Sequence, residues 1–225
     1  SLKSSSFNSD YSYSQFNITS INRTNIHKFV LKSRMLYQIG KGDNPAPESQ
    51  LYPASANPED LMENKFTRSN GFIPASWLGY GYNFGHFHYG GGMNIRAYNG
   101  YLIPDVTKNG DTINAFKVNS GASLNLELEF DKYINLLNRI GINSYLFADI
   151  GIMNIAEPNT EIDLGKIIAD AGIGFTFTNR NWGPLEMVKP FTIRFDFPFF
   201  VNRLHANSGQ EYFDFRWLIG INRSF

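Results

Sequence analysis

Three consecutive glycines, Gly90, Gly91 and Gly92, precede an arginine, Arg96, and an aromatic residue, Tyr98. Glycine lets the backbone take positive φ and approach other segments closely. An arginine carried on such a loop can reach into a site, and its rigid fork of donors fits carboxylates. Later stretches supply the carboxylates: Glu127 and Glu129 in Leu126-Glu-Leu-Glu-Phe130, and Asp149 in Phe147-Ala-Asp-Ile-Gly151. The chemistry on offer is ion pairing that positions a loop, with no bond made or broken. A glycine-rich hairpin carrying an exposed arginine is the plainer alternative.

Two histidines stand close to the same glycines. His86 and His88 point to one side if their segment is extended, as metal ligands can. Two ligands without a nearby third make a poor site, so a stacking or binding role at the loop base is the better reading. No His-Glu-x-x-His, Gly-x-Ser-x-Gly or phosphate-loop pattern occurs. The residues therefore offer no catalytic, metal or cofactor site, and catalysis by this stretch is not expected.

The elements that must position Arg96 and its carboxylates read as strands. From Ile26 to Gly40, Phe29, Leu31, Met35, Tyr37 and Ile39 share one face, and Lys28, Lys32, Arg34 and Gln38 the other. A less regular strand, Tyr11 to Ser20, precedes it, and Ile21 to Asn25 reads as the turn between them. Residues 41–83 form a long connection rich in Pro, Asn and Gly, with a short helix expected over Asn57–Asn64 from its Asn-Pro start and early acids. The loop is expected to run on to about Ala115. Connections this long are usually functional.

Beyond the loop the chain is nearly all strand. Phe116 to Phe130 alternates throughout, with Phe116, Val118, Ala122, Leu124, Leu126, Leu128 and Phe130 opposite Lys117, Asn119, Ser123, Asn125, Glu127 and Glu129. Fifteen residues at about 3.3 Å each span about 50 Å. Tilted near 45°, such a strand rises about 35 Å, enough to cross the apolar core of a bilayer. Tyr145–Asn154, Lys166–Thr178, Phe191–Val201 and Phe213–Phe225 repeat the alternation. Asp170, Arg194, Asp196 and Arg216 fall on the polar faces, as lumen charges in mutual pairs or as solvated charges.

Composition narrows the class. The 225 residues carry a net charge of zero, no cysteine and 16% aromatics. Neutral balance without a basic run argues against nucleic acid as partner. Absent cysteine excludes a disulfide framework and thiolate-bound zinc. Together these readings predict an all-β fold: a transmembrane antiparallel β-barrel of about seven strands with an inward-folding glycine-rich loop. The lipid bilayer is then its first partner. Single-chain bacterial barrels have even strand numbers. Residues 1–225 are therefore expected to be the C-terminal part of a barrel, completed by an N-terminal part or a partner chain. A soluble sandwich or lipocalin-like barrel is the alternative, with its apolar face inward.

With strands and loop in place, the arrangement resembles the C-terminal half of the BamA-type superfamily of outer-membrane assembly and two-partner-secretion barrels. Gly91, Gly92, Arg96, Ala97 and Tyr98 match that family's lumen-loop motif, with Ala97 where the family has glycine. The resemblance implies that Arg96 is gripped by an acid on each of the next two strands: Glu127, or Glu129 on the same face, and then Asp149. Ala169-Asp-Ala-Gly-Ile-Gly-Phe175, Gly183-Pro-Leu185 and the terminal Phe225 also resemble the family. It implies residence in the bacterial outer membrane and insertion or translocation of client polypeptides. The alternative is a barrel anchoring or secreting an enzyme fused upstream, such as a peptidase, lipase or phosphatase.

Overall fold

The computed structural model describes residues 2–3, 10–54, 56, 73–106, 112–115, 117–130, 134–136, 140–153, 167–179, 191–205, 209 and 211–221. The expected helix over Asn57–Asn64, the Gly183-Pro-Leu185 turn and the terminal Phe225 lie outside them. The fold is all-β. Strands β1 (Leu2–Lys3), β2 (Ser12–Ile26), β3 (Phe29–Asn44), β6 (Gly121–Phe130), β8 (Ile140–Met153), β9 (Ile167–Asn179), β10 (Phe191–Val201) and β11 (Leu218–Ile221) follow one another across a single antiparallel sheet, and β7 (Ile134–Leu136) also pairs with β8. Seven of them, all but β1 and β7, are the strands expected from the alternation. Between β3 and β6, strands β4 (Ile103–Val106) and β5 (Thr112–Ala115) form a separate two-stranded sheet. The only helical elements among the described residues are short 3-10 turns.

Several boundaries differ from the alternation pattern. Ile21 to Asn25 is strand rather than turn: β2 pairs with β3 as far as Ile26 opposite Phe29. The reversal falls instead on His27 and Lys28, with His27 at φ 54°. Continuous ladder bonding to β3 outweighs the turn preference of Asn22 and Asn25. Strand β6 has ten described residues rather than fifteen, because Val118 leaves the line to bond Leu51, N–H to C=O in both directions at 2.8 and 2.7 Å. The last strand begins at Leu218 rather than Phe213, and Phe213 makes an isolated bridge to Phe200. In β10 the register shifts between Pro198 and Phe200. Proline has no N–H for the ladder, so a bulge is a natural site for it, and past the bulge Val201 is buried in the core cluster.

Burial on β6, β8 and β10 is inverted relative to a water-soluble protein. On β6, Ser123, Asn125, Glu127 and Glu129 are buried, while Leu124 is exposed and Leu126, Leu128 and Phe130 are half-buried. On β8, Asn143 and Asp149 are buried and Leu146 and Ile150 exposed. On β10, Arg194 and Asp196 are buried and Phe199 exposed. The polar face is covered by the long loop, whose Leu51, Ala54, Met93, Ile95, Ala97, Tyr98 and Ile103 join Met153, Ile168 and Val201 in the core. Among the described residues the two ends of the sheet are not joined to each other, so the sheet is open.

Candidate functional site

The loop tip is shaped by its glycines. Gly90, Gly91 and Gly92 all take positive φ, at 75°, 75° and 53°, and Asn94 joins them at 58°. Side chains from the sheet and the loop then hold the turned backbone in place. Arg34 of β3 donates to the Gly92 carbonyl at 2.8 Å. Asn125 of β6 donates to the carbonyls of Met93 and Asn94 at 3.2 and 3.0 Å. Asn99 donates to the carbonyls of Gly85 and Phe87 at 2.7 and 2.9 Å, closing the base of the loop. Buried carbonyls of a turned loop need such partners, because no ladder serves them.

The 3-10 turn Arg96–Tyr98 sits on the polar face of the sheet, with all three residues buried. Arg96 Nε lies 2.9 Å from Asp149 Oδ2, and Arg96 Nη2 lies 3.0 Å from Glu127 Oε1. Neighbouring strands β6 and β8 bring the two carboxylates within reach of one guanidinium, with Asn125 directly opposite Asp149. A third carboxylate joins: Asp196 Oδ1 of β10 is 3.4 Å from Arg96 Nη1. Arg194 pairs with both Glu127 and Asp196, and the Tyr145 hydroxyl donates to Asp196. Two guanidinia thus interleave with three carboxylates in a dry setting. Charges so buried need partners, since desolvation is costly and an unpaired member is costlier still.

Glu129 does not share in this network. It pairs with Lys32 on β3, while Glu127 takes the place beside Arg96. Lys32 stands opposite Glu127 in the β3–β6 register, one step along its face from Glu129. Ala97 fits without strain: its φ is not positive, and its N–H donates to Asp170 Oδ2 at 2.7 Å. The methyl group is fully buried. The Tyr98 hydroxyl donates to the Arg203 carbonyl at 2.9 Å and accepts the Arg203 N–H at 3.1 Å. Burial pushes this phenol above its ordinary range. Tyr98 also packs edge-on to His205, whose ring lies tilted against Tyr101 with centroids 3.8 Å apart. Burial, helped by the positive charge of Arg216, lowers the His205 imidazole to about 3.

Aromatic rings complete the cradle. Arg96 lies 4.0 Å from the centroid of the Phe147 ring, and Arg194 lies 4.9 Å from that of Tyr145. Both rings stand on the polar face of β8, where Gly172 and Gly174 of β9 are their opposite numbers. Guanidinium stacking of this kind adds attraction where water is excluded. The arrangement can grip a loop and hold charge.

His86 and His88 do not come together as ligands. His86 stacks flat on Trp217, and His88 Nε2 lies 2.9 Å from Asn94 Oδ1. The alternation does not single out Asp196, Asp170 and Asn125 as partners of the loop, nor Arg194 as the second cation beside Glu127 and Asp196. Their only signal was a polar residue at an inward position of an alternating strand. No protein-family model matches the sequence, and no functionally characterised protein shows significant similarity to it.

Proposed function

We propose that the chain forms part of a BamA-like β-barrel of the bacterial outer membrane that inserts or translocates other polypeptides. The observation that carries this reading is the inverted burial. Polar side chains of β6, β8 and β10 are buried under the Arg96 loop, and apolar side chains of the same strands face outward. A water-soluble sheet buries its apolar face instead. In a bilayer the outward face meets lipid and the polar face lines the lumen.

The Arg96 network then anchors the loop to the lumen wall. No bond chemistry is needed. A seam between the first and last strands opens, and a client strand enters by pairing with a free edge. Backbone groups in lipid must all be paired, so closure of the open sheet requires further strand pairing at its two ends. The test is a client-insertion assay. Lipid vesicles carrying the protein should take up an unfolded outer-membrane polypeptide faster than empty vesicles, and Arg96→Ala should remove the difference. Equal rates with and without the protein would overturn the proposal.

A further inference from the structure

Asp149 and Asp170 stand directly opposite one another across the β8–β9 ladder, and both are buried against the Arg96–Tyr98 turn. Side chains so placed share a face and start from Cβ atoms about 4.5–5.5 Å apart. The two carboxyl groups meet there in a hydrogen bond. An ionised carboxylate only accepts hydrogen bonds, so two of them cannot make one, and a partner has to carry a proton. Two like charges in contact in a dry site also cannot both stay ionised.

The other contacts decide which carboxyl holds it. Asp149 is served as an anion: Arg96 Nε lies 2.9 Å from its Oδ2, and its Oδ1 accepts from Arg96 Nη2 at 3.3 Å and from Asn125 at 3.0 Å. Asp170 Oδ2 accepts from a neutral donor, the Ala97 N–H, at 2.7 Å. Among the described residues no donor reaches Asp170 Oδ1, and Asp149 Oδ2 accepts no hydrogen bond either. The cations that act on Asp170 are engaged elsewhere. Arg96 divides its three nitrogens among Asp149, Glu127 and Asp196. Arg216 donates to the carbonyls of Glu211 and Asp214. The Tyr98 phenol, which also acts on Asp170, is bonded to the Arg203 backbone. Arg96 and Arg194 already face Glu127, Asp149 and Asp196, so a fourth anion would only add to the excess of negative charge.

We propose that Asp170 is a protonated positioning residue for the Arg96 loop: its Oδ1–H donates to Asp149, and its Oδ2 holds the Ala97 N–H. One carboxyl group then joins three elements, β8, β9 and the loop turn. It leaves Asp149 as the anion that Arg96 requires. Asp170 acts as a donor and an acceptor, not as a charge. The inference concerns the seating of the loop and stands whether or not the protein inserts clients.

Infrared spectra of the whole protein, folded at neutral pH in an ester-free detergent, test the proton directly. A protonated-carboxyl carbonyl band should be present, should shift in deuterium oxide and should vanish in Asp170→Asn. A spectrum of the unmodified protein without that band would overturn the proposal with no variant needed. A band that persists in Asp170→Asn belongs to another carboxyl and would overturn it too. Protease cutting of the loop then separates a donor from an anion. Asp170→Asn still offers an N–H to Asp149 and a carbonyl to Ala97, so its loop should be cut within about twofold of the parent rate. Asp170→Ala removes both bonds and should raise the rate at least about tenfold. A loop cut as fast in Asp170→Asn as in Asp170→Ala would make the charge of Asp170 the feature that matters and sink the assignment. Equal rates in all three chains would remove Asp170 from the seating of the loop. Should Asp170→Ala not fold, the spectrum and Asp170→Asn decide alone.

Discussion

Gly174 lies directly opposite Tyr145 across the β8–β9 ladder, and a Cβ atom on Gly174 would meet the Tyr145 ring at 2.1 Å. Gly172 stands in the same relation to Phe147, at 2.7 Å from its Cζ, and is closer still to the Phe197 carbonyl at 2.1 Å. The two glycines leave a bare strip of backbone on which the rings lie, and the rings in turn support Arg194 and Arg96. Gly174→Ala should therefore displace Tyr145 and cost about 1–3 kcal/mol, the usual penalty for overpacking. The Gly174→Ala, Tyr145→Ala double variant should cost less than the sum of the singles, because the two sites touch. Denaturant midpoints in detergent would measure both, and additive losses would show that the ring does not depend on the glycine.

The Arg96 network should behave as a unit. Arg96→Ala leaves Glu127 and Asp149 with unbalanced buried charge, and Asp149→Ala leaves Arg96 short of its closest carboxylate. Removing one partner from such a buried network costs about 3–5 kcal/mol. Each single variant should lose most of that, and the double variant little more. Arg96→Lys should rescue poorly, since an ammonium cannot span carboxylates on two strands as a planar fork does. Glu129→Ala, which removes a partner of Lys32 instead, should leave the loop in place. Protease sensitivity of the loop would report the ranking.

Stability should fall on mild acidification through His205. Its folded pKa of about 3 is depressed from the ordinary 6.5 by burial and by Arg216. Between those values the unfolded chain binds a proton that the folded chain refuses. The contribution is therefore intact above about pH 6.5 and declines as pH falls towards 3, by at most about 1.4 kcal/mol per pH unit. His205→Phe keeps the aromatic contact with Tyr101 and removes the proton. Melting curves between pH 7 and 5 should show a shallower loss for the variant than for the parent, and parallel curves would refute the assignment.

The inward charges were legible because period-two alternation separates faces without any knowledge of pairing. Glu127 and Asp149 could be joined to Arg96 on that basis. The same logic could not choose between Glu127 and Glu129, which share a face. Register does not decide it either, since it sets Lys32 opposite Glu127; the side chains do, with Lys32 reaching along its face to Glu129 and Arg96 taking Glu127. Alternation cannot join Asp196 to Arg96, because β10 is two strands beyond β8 in the sheet and its reach to the loop depends on how the sheet wraps. Tyr145 and Phe147 share the polar face because Gly174 and Gly172 opposite them leave room for the rings. Boundaries failed where loop backbone competed with the ladder, at Val118 against Leu51, and where turn-forming residues were held in strand, at Asn22 and Asn25.

Charge on the outward face should be costly if lipid lies there. Leu126, Ile173 and Phe195 are half-buried residues on the apolar faces of three different strands. An arginine at each midplane position should cost about 2–4 kcal/mol of folding into lipid, falling towards zero near the interfaces. Folding yields in vesicles would measure this. Indifference at all three positions would place that face in water.

Orientation against the bilayer can be read most directly from lipid-borne quenching along β6. Single cysteines at Leu124, Leu126 and Leu128 carry a fluorophore on the outward face, and those at Ser123 and Glu129 carry it on the buried polar face. Brominated lipid should quench the first three strongly and the last two weakly in the vesicle-reconstituted protein. Uniform quenching, quenching of the polar positions alone, or a protein that reaches its folded state in plain buffer without lipid or detergent would contradict a membrane-spanning sheet.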